Sequence, residues 1–89
     1  MKIPVLGSEP AMDARFKLQF EPTQDSWVLL GPDSMVKLNT PAAEILRRCD
    51  GRHSVNDIVG ELELAFEQQG LLDDVRAFLQ QAQLHGWLQ

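Results

Sequence analysis

The chain has 89 residues, a hydrophobic fraction of 44%, a charged fraction of 24% and a formal net charge of −5. That length suits one small domain with a thin core and excludes two. Eight basic residues against thirteen acidic ones argue against a nucleic-acid partner, and no apolar run approaches the ~20 residues of a membrane span.

The first stretch holds Pro4, Gly7 and Pro10 and keeps no sustained period. It is expected to be a flexible N-terminal arm over residues 1–14, too short and interrupted for a secretory signal. Residues 15–89 are expected to form the single domain. From Arg15 to Glu21 the chain alternates, setting Phe16, Leu18 and Phe20 on one face of a first strand. Pro22 to Ser26 reads as a turn. Trp27, Val28, Leu29 and Leu30 form a continuous apolar run, as in a central strand. Pro32 and Asp33 supply the next turn, and Met35 to Leu38 a third short strand. Such short connections predict an antiparallel meander.

Helices follow. Thr40 is the expected cap of the first, with Pro41 at its first position, where a missing N–H costs nothing. Ala42, Ile45, Leu46 and Cys49 share its inner face, and Gly51 supplies the stop. Ser54 and Asp57 open the second helix. Val55, Ile58, Val59, Leu62 and Phe66 keep its period, and Gly70 closes it. The third begins near Leu72, where Asp73 and Asp74 favour the positive helix end. It buries Val75, Phe78, Leu79 and Ala82 and ends at Gly86. The expected fold is α+β, a small winged-helix-like domain with a three-stranded antiparallel sheet followed by three helices.

Chemistry-bearing residues are sparse. The glycines are scattered singly, without the clustering of a phosphate loop. His53 and His85 stand far apart with no metal-ligand spacing, so no metal site is expected. Cys49, the one cysteine, excludes an internal disulfide, agrees with a reducing cytoplasm and falls where a buried, inert thiol is expected. No nucleophile, base or cofactor constellation appears. The expectation is a cytoplasmic protein that is not an enzyme and carries no cofactor.

A binding reading rests on other features. The third strand ends the meander and so lies at a sheet edge, where unpaired N–H and C=O groups can accept another extended chain. Arg76, Leu79, Gln80 and Gln83 give the third helix a mixed polar and apolar face. The plainer reading is a short, solvated edge guarded by Lys37. These residues alone leave both open.

From Trp27 to Leu88 the chain resembles the PqqD family of pyrroloquinoline quinone biosynthesis. The marks are Trp27 to Leu30, Pro32-Asp33, Leu38-Asn39, Ile45-Leu46, and the run from Cys49 to Arg52. Val55, Ile58-Val59, Leu62, Asp74-Val75, Phe78-Leu79 and Gly86 to Leu88 follow. Gly31 departs from the aromatic residue common there, as does Asp33-Ser34 from Glu-Gly. The resemblance implies a peptide chaperone that binds the ribosomal precursor peptide PqqA. It would present PqqA to PqqE, a radical S-adenosylmethionine enzyme that cross-links a Glu and a Tyr of the peptide. The same fold serves as a leader-peptide recognition element in other pathways. It implies a peptide site at Met35, Val36, Lys37 and Leu38, with Arg76, Leu79, Gln80 and Gln83 opposite. The alternatives are a winged-helix DNA-binding domain, disfavoured by charge, and a self-associating module forming a homodimer through its edge strand.

Overall fold

Alternation in the first strand and apolar continuity in the second produce a sheet in order β1-β2-β3, with β2 central. In a computed structural model, which describes residues 9–89, β1 spans Lys17–Glu21, β2 Ser26–Leu30 and β3 Met35–Leu38. All pairings are antiparallel. Leu18 faces Leu29, Phe20 faces Trp27, and Leu29 in turn faces Val36. One sheet face therefore carries Leu18, Phe20, Trp27, Leu29, Val36 and Leu38, and it covers the core. Phe20 and Trp27 meet edge to face, their centroids 5.3 Å apart.

The helices are α1 (Thr40–Arg47), α2 (Val55–Ala65) and α3 (Leu72–Leu84), which complete the expected α+β order. Their inner faces bring Ile45, Leu46, Ile58, Leu62, Val75, Leu79 and Ala82 into one core with Leu29 and Leu38. None of the described helices is long and apolar enough to cross a membrane.

β1 begins at Lys17 rather than Arg15, leaving Phe16 just before the strand, and three helix boundaries also differ from the sequence-based expectation. Asn39, not Thr40, caps α1: its Oδ1 accepts from the Ala42 N–H at 2.9 Å. Thr40 already belongs to the helix, and Asn is at least as good a cap as Thr. Gly51 does not terminate α1, which ends at Arg47. Its positive φ of 79° instead shapes the following loop, where its N–H donates to the Pro10 carbonyl at 3.1 Å. Gly70 does not close α2 either. The helix stops at Ala65, and Glu67 takes the left-handed conformation at φ 53° while the Gln68 N–H donates to the Glu63 carbonyl. A side chain in that conformation costs about 1 kcal/mol, so Glu67→Gly should raise stability by about that amount in urea unfolding.

The Ser54–Asp57 capping box forms in both directions, at 3.0 Å each way. At the other end of the chain, α3 closes as expected on Gly86. The Trp87 N–H donates to the Ala82 carbonyl and the Gly86 N–H to that of Gln83, so a Schellman pair satisfies the last turn.

Part of the expected N-terminal arm lies outside the described residues, at 1–8. Residues 10–13 are tied to the body. The Met12 N–H donates to the Cys49 carbonyl at 2.9 Å and the Asp13 N–H to that of Trp87 at 2.8 Å. In return the Gln89 N–H donates to the Ala11 carbonyl. This stretch joins the α1–α2 loop to the C-terminus.

Candidate functional site

Among the described residues β3 has a strand partner on one side only. No described strand pairs with its outer edge. Which of its backbone groups face outward follows from the turn. The Gly31 N–H donates to the Ser34 carbonyl at 2.8 Å, which makes Gly31 and Ser34 a hydrogen-bonded pair in the register of β2 with β3. Antiparallel pairs alternate between bonded and non-bonded. Val36 with Leu29 and Leu38 with Trp27 are then the bonded pairs. Met35 and Lys37 fall at the non-bonded positions, so their N–H and C=O groups point to the open edge.

The side chains divide the other way. Val36 and Leu38 turn inward, Leu38 being buried and Val36 half-buried against the core. Met35 is 68% exposed, and Lys37 is exposed as well. Asn39 fixes the end of the strand by capping α1 directly after Leu38.

On α3, Arg76, Gln80 and Gln83 recur at helical spacing, the first two exposed and Gln83 half-buried. Leu79 stands apart from them: it is 0% exposed. Its side chain belongs to the core that also holds Leu38, which sets α3 and β3 around a shared interior. Of the eight residues named from the sequence, Leu38 and Leu79 are buried in the core, Val36 and Gln83 are half-buried, and Met35, Lys37, Arg76 and Gln80 are exposed.

A polar network that sequence reasoning missed braces α1 against α2. Arg48 donates to Glu44 Oε1 and to Glu61 Oε1, both at 2.8 Å, linking α1 to α2. His53 lies between Asp50 Oδ1 at 3.0 Å and Glu61 Oε2 at 2.8 Å. The signal was the acidic spacing around a lone histidine, but the meeting of Asp50, His53 and Glu61 depends on the turn between the helices. The Asp50 hydrogen bond, with the nearby Glu61 charge, raises the pKa of His53 above its ordinary value. A raised folded pKa means that the stabilisation is fully present below the unfolded value of about 6.5 and is lost as pH rises through the folded one. His53→Gln should therefore destabilise most on the acidic side of that value and become indistinguishable from wild type at alkaline pH. Thermal melts across a pH series check this.

Cys49 shows no sign of chemistry. It is 4% exposed, its Sγ lies 3.3 Å from the Ile45 carbonyl, and burial pushes its thiol up to about 12. Since the thiolate is the reactive form, native protein at pH 8 should alkylate with iodoacetamide at least about a hundredfold more slowly than urea-unfolded protein. Among the described residues no three His, Cys, Asp or Glu side chains are grouped to hold a metal ion.

A three-stranded sheet with an open outer edge on β3, backed by three helices, is an architecture this chain shares with a solved structure. The chain superposes with a TM-score of 0.81 on the PqqD truncation of Methylobacterium extorquens PqqCD, a stand-alone recognition element for ribosomally synthesised, modified peptides. That match covers 100% of this chain and 99% of the other at 22% identity, so the two share a fold. The sequence goes further: residues 26–88 match the family model for coenzyme PQQ synthesis protein D, PqqD. A PqqA binding protein of Pseudomonas aeruginosa (strain UCBPP-PA14) is 46% identical over 90 aligned residues, covering 100% of this chain and 98% of that protein. One from Methylococcus capsulatus is 40% identical over 72 residues, with 81% and 77% coverage. The chain belongs to the PqqD family.

Proposed function

We propose that this protein binds the precursor peptide PqqA as an added strand along the outer edge of β3, beside Arg76, Gln80 and Gln83 of α3, and presents it to PqqE. The observation that supports this most is the full-length similarity to PqqA binding proteins. The open edge gives that similarity a physical form, since an extended peptide completes the outward N–H and C=O groups of Met35 and Lys37. Because such a peptide is made on ribosomes, the work assigned here is done in the cytoplasm.

In this reading the protein binds and orients, with no bond-making step of its own. A free peptide samples many conformations, and fixing it as a strand before it meets the enzyme removes part of the entropic barrier to reaction. The edge is short. Four outward backbone groups at about 1 kcal/mol net each amount to roughly millimolar affinity. Useful affinity then depends on side-chain contacts beyond the ladder, at about 1.5–3 kcal/mol for each large apolar side chain buried.

The test of presentation is the rate at which purified PqqE cross-links PqqA with and without this protein. Acceleration that saturates as the protein reaches the peptide concentration is expected. Unchanged cross-linking, with PqqA demonstrably bound, would reject presentation while leaving binding intact.

A further inference from the structure

An apolar cavity of about 330 Å³ opens between the three helices, and neither the edge of β3 nor the polar face of α3 accounts for it. Pro41 and Ile45 of α1, Leu62 of α2, Phe66 just beyond it, and Leu71 and Val75 around the start of α3 form its walls. Its volume is at the small end of the ~300–1,000 Å³ range of ligand pockets, closer to one large side chain than to a cofactor. Pro41, in the cavity wall, lies only three residues beyond Leu38, which places that wall within a short reach of the end of β3.

Charge narrows the occupant. Asp74 joins the lining, and Asp73 precedes it in the exposed first turn of α3. Between residues 55 and 75 the sequence holds six acidic residues and neither lysine nor arginine. Of these, Asp57 is engaged in the capping box and Glu61 with Arg48 and His53, while Glu63 accepts from the Leu71 N–H. Glu67, Asp73 and Asp74 are left to set the field around the mouth, with Arg76 the nearest basic residue along the chain, and the acidic excess favours a cation.

We infer that this cavity is a second anchor for the bound peptide, taking one large apolar side chain that has a lysine or arginine beside it in sequence. The inference rests on the peptide-binding reading and adds a residue-level specificity to it. The edge of β3 reads only main chain and so selects weakly; the cavity selects by shape, and Asp74 by sign. Together they fix the register in which the peptide lies along the strand.

The test uses full-length protein with labelled Ile, Leu and Val methyl groups and synthetic PqqA as the probe. Backbone amides of β3 report strand addition, and the methyls of Ile45, Leu62, Leu71 and Val75 report the cavity. The expected result is that both sets shift along one saturation curve, with intermolecular NOEs from the cavity methyls to one apolar side chain of the peptide. Replacing that peptide residue by alanine should weaken binding about tenfold. Asp74→Lys, an exposed change that leaves the walls intact, should weaken it about fivefold at low salt, and the difference should shrink at high salt. Saturating shifts at β3 with unmoved cavity methyls, and an Asp74→Lys variant that binds as wild type, overturn the anchor and leave edge pairing standing. Absence of shifts at β3 removes the peptide reading and the anchor with it. Cavity shifts that follow protein concentration without peptide assign the site to a second copy of the chain and also overturn the proposal.

Discussion

Lys37→Pro should weaken PqqA binding by at least about tenfold while leaving the thermal midpoint within a few degrees of wild type. Proline removes a backbone donor, and the consequence depends on where that donor points. Lys37 is opposite Val28 at a non-bonded position of the β2–β3 ladder, so its N–H faces the open edge and no bond to β2 is lost. Loss of one outward donor, with the ring intruding on an incoming strand, corresponds to roughly 1.4 kcal/mol or more of binding. The same substitution one residue earlier acts differently. Val36 is in a bonded pair with Leu29, so Val36→Pro breaks the sheet itself and loses binding through unfolding. Lys37→Ala keeps the N–H and should bind within about threefold of wild type. Isothermal titration with circular dichroism melts separates the three cases.

Leu79→Ala should cost about 3 kcal/mol of stability, a large share of the roughly 5–15 kcal/mol available to a small domain. The side chain is 0% exposed and packs in the core shared by β3 and the helices. Its removal leaves a cavity in a domain that has little other interior to absorb the change. The loss of peptide binding that follows should be reversed by a stabilising osmolyte, because Leu79 acts by holding α3 in place. Exposed Arg76 offers the contrast: Arg76→Ala should leave the urea midpoint nearly unchanged, and any effect on binding belongs to the surface. Urea titrations of both variants beside the wild type check the pair.

How far the sequence could be read depended on whether an element is specified locally. Apolar alternation before Pro22, the unbroken run at Trp27 to Leu30 and the Ser54–Asp57 box each rest on neighbours within a few residues; β2, β3 and α2 start within a residue of where those patterns place them, and β1 starts at Lys17, two residues into its pattern. Residues 10–13 carry no such pattern. They pair with Cys49, Gly51, Trp87 and Gln89, and nothing in a short stretch of chain announces partners that distant. Glycines misled in two places. Gly51 and Gly70 both adopt positive φ, but in the loops that follow α1 and α2, while Glu67 takes the left-handed position at the end of α2.

The same distinction applies to the candidate site. Its position at the end of the meander was visible in the order of strands, and the resemblance to PqqD named the residues. The division of labour among them was not visible. Which β3 amides face outward is decided by the Gly31–Ser34 bond, and the burial of Leu79 by the joint packing of all three helices. At Gly31 an added Cβ would lie 2.7 Å from the Phe16 ring, so any side chain there requires Phe16 to move, a constraint set by packing between distant positions.

Amide hydrogen exchange with and without saturating PqqA tests the central claim most directly. Val36 and Leu38, bonded to β2, should be protected in the free protein, whereas Met35 and Lys37 should exchange quickly. Adding PqqA should slow Met35 and Lys37 selectively, restoring the alternation from the other side of the strand. If PqqA binds and those two amides remain fast, or if the amides of β1 are slowed in their place, the peptide does not add to the edge of β3.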